Sequence, residues 1–178
     1  MNFKGRLGIL GVWVVLGGVA LADNDEEEQR HRQMKGATLD STYVKECGSC
    51  HTAFPPSFLP AVSWVRIMSG LDKHFGDNAE LPTAQQESIA RYLEQNAADK
   101  VSLPRGARVM KGLDVSNPPL RLTETDYFRR LHHEISPNVF KKSPQLKNFS
   151  NCSGCHPGAD KANFTEDEVR ILGVGKWE

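Results

Sequence analysis

Two copies of one short pattern, Cys-x-x-Cys-His, constrain this 178-residue chain more than any other feature. The copies are residues 47–51 and 152–156, and together they contain all four cysteines of the chain. Two thiols at this spacing reach the two vinyl groups of one porphyrin, and the histidine that follows lies under the iron as its proximal ligand. The pattern therefore predicts two covalently attached c-type haems. The attaching side chains are Cys47, Cys50, Cys152 and Cys155, and the proximal ligands are His51 and His156.

The alternative uses of paired cysteines are a zinc site, a thioredoxin-like redox pair and two short disulfides. Zinc ribbons need a second cysteine pair but do not require a histidine directly after each pair. A redox pair gives no reason for two copies that are each followed by histidine. The repeated histidine therefore favours haem attachment.

The first 22 residues have the features of an export signal. Two basic residues precede an apolar stretch over residues 7–21, and Ala20-Leu21-Ala22 fits a small-residue cleavage site. We expect cleavage after Ala22, and an uncleaved anchor helix is the alternative. Export would place the chain in the periplasm, an oxidising compartment in which thiols pair or are consumed by chemistry.

The charge balance argues against two classes of partner. Basic and acidic residues number 22 each, which gives no reason to expect binding to nucleic acid or to an acidic membrane surface. Loss of the export signal would leave a slightly negative protein that is not integral to the membrane. Apolar residues make up 39% of the chain, a low value for a chain that must build its own core. Two haems would supply the missing apolar surface.

Hydrophobic periodicity and capping residues predict an all-α fold. Apolar residues recur at helical spacing over residues 61–70 and 83–98. Capping signals open a helix at residues 123–126 and a short C-terminal helix at residues 165–168 that runs through Ile171. No run of residues alternates convincingly as a strand. The predicted architecture is a c-type cytochrome with two haem-binding halves packed around two covalently attached haems.

Charge runs and chain breakers divide the sequence into segments. The chain after the cleavage site begins with charged residues that form no apolar face, as expected of a solvated leader. Prolines and glycines that break regular structure recur in one stretch near the middle of the chain, where residues 101–122 contain three prolines and two glycines. The predicted segments are a signal peptide (1–22), a charged flexible leader (23–38), a first haem-binding half (39–100), a junction (101–122) and a second haem-binding half (123–178).

The sixth ligand of each iron decides between electron transfer and chemistry on a small molecule. The 22 residues after His156 contain neither His nor Met, so the second haem takes its distal ligand from upstream or leaves that position open. His132 shares a helical face with Phe128 and Ile135, whereas His133 shares a face with charged residues. Since a haem iron lies in an apolar pocket, His132 is the predicted ligand.

The first haem has an equivalent candidate in His74. This residue lies on the extension of the helical face of Trp64 and Leu71. Met68 and Met110 are the competing ligands, although a packing role suits Met68 better. The candidate ligand and the attachment motif are about equally far apart in the two halves, which supports one ligand in each half. A crossed pairing, in which each half donates its ligand to the haem of the other, is the alternative.

These motifs together resemble a known family, the small periplasmic dihaem cytochromes c often called DHC. The segment that begins His74-Phe75-Gly76 and the segment around His132 are more specific than the haem motifs, which identify only a cytochrome c. The family usually has Trp where this chain has Tyr127, and this departure leaves the match at His132 standing. The resemblance covers residues 40–175 and rests on residues 47–51, 59–60, 63–64, 68–71, 74–79, 127–135 and 152–156.

The resemblance implies an electron carrier in which both haems have two histidine ligands. Two imidazoles leave an iron low-spin, low in potential and without an open site. The resemblance also implies electron exchange with a membrane b-type cytochrome or quinol-linked system, and with an oxygen-binding monohaem cytochrome called SHP. Two other classes stay open. One is a small haem enzyme, a peroxidase or a reductase of a small oxygen or nitrogen species, with one open iron site; the other is a haem-based sensor.

Overall fold

The computed structural model describes residues 38–171 and 175–176 of the chain. The predicted signal peptide, and the predicted leader up to residue 37, lie outside these residues. Within the described part of the chain, no helix is both long enough and apolar enough to cross a membrane.

Three helices build the first half: α1 (Ser41–Cys47), α2 (Ala61–Ser69) and α3 (Thr83–Gln95). Helices α2 and α3 pack against each other, and the helices predicted over residues 61–70 and 83–98 are confirmed. Met68 is buried among the core side chains, as expected of a packing methionine. The core residues are Tyr43, Ala53, Leu59, Trp64, Met68, Leu71, Ile89, Leu93 and Ala97.

Three further helices follow: α4 (Pro104–Met110), α5 (Asp126–His132) and α6 (Val139–Lys142). The Thr125 hydroxyl accepts a hydrogen bond of 3.1 Å from the Phe128 amide and so caps α5. This contact confirms the capping signal at residues 123–126. The described residues are mostly helical, as the sequence predicts. Short 3₁₀ turns precede α5 and follow α6, at Leu122–Glu124, Pro144–Leu146, Cys152–Gly154, Ala159–Lys161 and Glu166–Glu168.

The predicted C-terminal helix is wrong. A 3₁₀ turn at Glu166–Glu168 is followed by extended backbone, and Arg170–Ile171 pairs antiparallel with Gly175–Lys176. The Arg170 amide donates a hydrogen bond of 2.9 Å to the Cys155 carbonyl. A tertiary contact with the second haem motif therefore holds this segment extended and overrides its local capping signal.

Aromatic packing and a part-buried hydrogen bond connect the first half to the junction and the second half. Phe58 of the first half forms a buried cluster with two residues from later in the chain. These are Leu122, in the turn before α5, and Phe128, in α5 itself. The Ser63 hydroxyl donates a hydrogen bond of 2.7 Å to the Pro119 carbonyl in the junction. These contacts attach the second half to the segment that follows the first haem motif.

Candidate haem-binding sites

Both Cys-x-x-Cys-His motifs are wound into tight helical turns. Cys47 is the last residue of α1, and the Gly48 amide donates a hydrogen bond of 2.9 Å to the Val44 carbonyl. Cys152 begins a 3₁₀ turn, and the His156 amide donates a hydrogen bond of 2.7 Å to its carbonyl. Local backbone hydrogen bonding therefore sets the shape of each motif and the position of the histidine at its end.

The imidazole of His51 faces the imidazole of His74. The ring centroids are 6.2 Å apart, and the ring planes differ by 13°. Helical periodicity predicted that His74 lies on a continuation of α2. This prediction of the backbone is wrong, because α2 ends at Ser69. A 3₁₀ turn at Leu71–Lys73 follows, and the backbone then reverses through a positive φ of 54° at Phe75. A turn, and not a longer helix, brings His74 to His51.

The imidazole of His132 faces the imidazole of His156, with 6.2 Å between ring centroids and 77° between ring planes. Helix α5 ends at His132, so Ile135 lies beyond the helix and does not extend its apolar face as predicted. Ile135 still lines the cavity that also contains His132 and His156. The side chain of His133 is 69% exposed, and its Nε2 lies 3.8 Å from the Glu134 carboxylate. Of the two neighbouring histidines, His132 therefore lies beside His156 and His133 lies exposed, which is the arrangement that the sequence predicts.

The separation of 6.2 Å within each pair is the spacing that one metal ion between two imidazoles requires. A metal–imidazole bond is about 2.0 Å long, and two such bonds plus the distance from each nitrogen to its ring centre add up to roughly 6 Å. Each pair lies within one half, so the structure does not show the crossed pairing.

Backbone carbonyls orient two of the four imidazoles. His51 Nδ1 donates to the Thr52 carbonyl at 2.8 Å, and His132 Nδ1 donates to the Phe128 carbonyl at 2.9 Å. Since a carbonyl only accepts hydrogen bonds, Nδ1 carries the proton and Nε2 keeps its lone pair in the neutral ring. Metal-binding histidines are commonly held in this way. His156 Nδ1 is buried and has no hydrogen-bond partner among the described residues.

Burial favours the neutral form of three imidazoles, those of His74, His132 and His156. It lowers the pKa of His74 and of His132. It also lowers the pKa of His156 to about 4, with the proximity of His132 as the second cause. Neutral imidazole is the form that binds a metal ion.

The first cysteine of each motif does not have the properties of a redox-active thiol. The pKa of Cys47 and of Cys152 is raised to about 11, mainly by burial, with Glu46 as the second cause at Cys47 and Cys155 as the second cause at Cys152. Reactive redox cysteines have a lowered pKa, because the thiolate is the nucleophile. The thiol chemistry therefore disfavours the thioredoxin-like alternative.

An apolar cavity of about 390 Å³ surrounds the second motif, and Cys152, Cys155, His132 and His156 all line it. The first motif lies at the surface, where Cys50 and His51 are exposed. The donor set in each half fits a porphyrin that two thiols attach and two imidazoles ligate. Apolar side chains complete the lining of the cavity, among them Phe58, Leu122, Phe128, Leu146, Phe149 and Phe164.

Two neighbours of the first histidine pair were not found from the sequence. The ring of Phe54 stacks on His51, with 5.1 Å between centroids and 25° between planes. The guanidinium of Arg121 lies 4.0 Å from the centroid of the Phe75 ring, and its charge contributes to the lowered pKa of His74. Arg121 comes from the junction, so no local spacing could have indicated it.

This pair of sites defines the protein class as a multihaem c-type cytochrome. A family model, DHC or dihaem cytochrome c, matches residues 43–164 of the chain. The chain belongs to the dihaem cytochrome c family.

Two solved structures show the same relationship. The diheme cytochrome c from Rhodobacter sphaeroides is 39% identical, with a TM-score of 0.63, over 69% of this chain and 94% of that chain. The diheme cytochrome type c from Shewanella baltica OS155 is 38% identical, with a TM-score of 0.63, over 78% of this chain and 97% of that chain. A comparison with curated proteins gave no match.

Family membership confirms three expectations from the sequence: the resemblance itself, the mostly helical cytochrome fold, and the cofactors. The chain carries two covalently bound haem c groups with iron, and it is an electron-transfer protein.

Proposed function

We propose that this chain is an exported electron carrier in which two histidines hold each haem iron. His51 and His74 would hold the first haem, and His132 and His156 would hold the second. The observation that carries the proposal is the 6.2 Å separation between facing imidazoles, which is the same in both pairs. This separation is the distance that one metal ion between two imidazoles would bridge.

The residues around each pair suit electron transfer better than chemistry on a small molecule. When bound, each haem supplies an iron that exchanges one electron. Imidazoles on both sides leave no open coordination position, and an imidazole in place of a thioether stabilises ferric iron, so both potentials would be low. Apolar side chains around His132 and His156 limit the access of water and small substrates. The proposed protein is therefore not an enzyme.

The proposed location is the periplasm, which the signal-like N-terminus supports. The proposed partners are other redox proteins, among them a membrane b-type cytochrome and the oxygen-binding monohaem cytochrome SHP. Support for these partners comes from the family resemblance alone. Nucleic acid is not proposed as a partner, because basic and acidic residues balance.

Absorption spectra of the holoprotein test the ligation. The ferric form should show only low-spin bands, and the ferrous spectrum should change little when carbon monoxide is added. The protein should also show no peroxidase turnover of its own. Carbon monoxide binding to one haem of the freshly reduced protein would contradict bis-histidine ligation and would favour the enzyme with an open site.

A further inference from the structure

The two histidine pairs share one spacing but differ in ring orientation. The planes differ by 13° in the pair His51–His74 and by 77° in the pair His132–His156. We propose that Phe128 is the positioning residue that holds His132 crosswise to His156, so that the two haems have different axial-ligand orientations. The inference rests on the bis-histidine ligation proposed above.

Phe128 contacts His132 in two ways. The two rings stack with 3.9 Å between centroids and 13° between planes, and the Phe128 carbonyl accepts the hydrogen bond from His132 Nδ1. The stacking sets the tilt of the imidazole plane, and the hydrogen bond sets the rotation of the ring within that plane. Phe128 therefore makes both the stacking contact and the hydrogen bond that orient the His132 ring, whereas Phe149 meets this ring only edge-on, with 6.2 Å between centroids and 71° between planes.

Phe128 is itself firmly held. Its side chain is 9% exposed and packs in the cluster with Phe58 and Leu122. Its amide donates to the Thr125 hydroxyl that caps α5. A buried ring on a capped helix has few alternative rotamers, so it transmits a defined plane to His132.

His156 takes its orientation from other contacts. It is part of the Cys-x-x-Cys-His turn, where its amide donates to the Cys152 carbonyl at 2.7 Å. The Phe164 ring meets its ring edge-on, at 5.3 Å and 61°. The turn and this edge contact hold His156, while Phe128 holds His132, so the crossing angle results from two independent supports.

The first pair has a different set of aromatic neighbours. Phe54 stacks on His51 at 25°, and Phe75 meets His74 at 64° with 4.8 Å between centroids. These neighbours leave the two imidazoles nearly parallel. Phe54 stacks on His51 as Phe128 stacks on His132. A substitution of Phe54 is therefore a matched control for a substitution of Phe128.

Ring orientation has a spectroscopic consequence in low-spin ferric haem. Each imidazole donates π density to the iron d orbital that lies perpendicular to its own plane. Parallel rings act on the same orbital and separate the energies of the two d orbitals, whereas crossed rings act on one orbital each and leave the energies nearly equal. Well-separated orbitals give a rhombic electron paramagnetic resonance (EPR) spectrum, and nearly equal orbitals give a signal with a much larger maximum g value.

Low-temperature EPR of the ferric holoprotein tests the inference. The wild type should show two low-spin signals of equal spin concentration, one rhombic and one with a large maximum g value. Phe128→Leu should shift the second signal to a smaller maximum g value and leave the rhombic signal unchanged. Phe128→Tyr keeps the stacked ring and should retain the large value, and Phe54→Leu should not change it.

Each other outcome has a distinct meaning. Two rhombic signals in the wild type, or an unchanged large-g signal in Phe128→Leu, would overturn the inference while both haems remain low-spin and bis-histidine ligated. A high-spin signal in the wild type would instead contradict the proposed ligation. If Phe128→Leu does not fold, Phe128→Met, which fills similar space without a ring plane, is judged by the same criterion.

Discussion

The ring of Phe58 lies 5.1 Å from the ring of Phe164, centroid to centroid, with 60° between their planes. Phe58 belongs to the first half and Phe164 to the second, where Phe164 also meets the edge of His156. The guanidinium of Arg105 lies 5.1 Å from the centroid of the same Phe58 ring. One side chain of the first half thus supports the second haem site.

Truncation of Phe58 should destabilise the whole holoprotein. Phe58→Ala removes a ring that is 5% exposed, and such a cavity lowers the free energy of unfolding by about 3–5 kcal/mol. Denaturant unfolding followed by circular dichroism measures the change. Val65→Ala is the control, because Val65 is 45% exposed and its loss should cost no more than about 0.5 kcal/mol. Equal losses for the two variants would show that the interface between the halves contributes little.

The glycine inside the first haem motif should not tolerate a side chain. A methyl group at Gly48 would collide with the Val44 carbonyl oxygen, which the helix end cannot move without losing its hydrogen bond. We expect Gly48→Ala to lower the free energy of unfolding by about 1–3 kcal/mol.

Gly70, which ends α2, is the matched control for Gly48. A methyl group there would lie 3.5 Å from its nearest neighbour, the Arg66 carbonyl oxygen, so Gly70→Ala should change the free energy of unfolding by no more than about 0.5 kcal/mol. Thermal melts of both holoproteins give the comparison. A Gly48→Ala protein as stable as Gly70→Ala would mean that the motif does not need this close approach.

The neighbouring histidines of the second half should respond differently to removal. His132→Ala should convert one of the two haems to a high-spin form, because it removes the imidazole that faces His156. His133→Ala should leave the absorption spectrum unchanged, since the His133 side chain is exposed. A high-spin band in the His133 variant, with none in the His132 variant, would reverse the proposed assignment.

Exposed lysines around the second motif should guide an acidic redox partner. The rate of electron transfer to such a partner should fall as ionic strength rises, because salt screens charges separated by more than about 8–10 Å. Replacing Lys141 and Lys142 by Gln should flatten this dependence, whereas Lys100→Gln, which removes a lysine paired with Asp99 at 3.7 Å, should not. A rate independent of salt would mean that these lysines only confer solubility. The lysines in question are Lys141, Lys142, Lys147 and Lys161.

Local sequence patterns predicted the helices that bury a regular apolar face. Helices α2 and α3 begin at the residues that the pattern indicated, because helical periodicity and N-terminal proline act over a single turn. The extended C-terminal segment could not be predicted in this way. Its backbone pairs with Cys155 and with residues further along the chain, and such contacts leave no periodic signal.

The number of haems and the thiols that attach them follow from the sequence alone, because attachment depends on residues within one five-residue motif. The partner and the angle of each imidazole depend on the fold. His74 reaches His51 only because α2 ends early and the chain turns back. His132 lies crosswise to His156 because Phe128 stacks on it in a buried cluster that both halves build. Ring orientation is a property of packing between distant segments, and packing of that kind has no period along the chain.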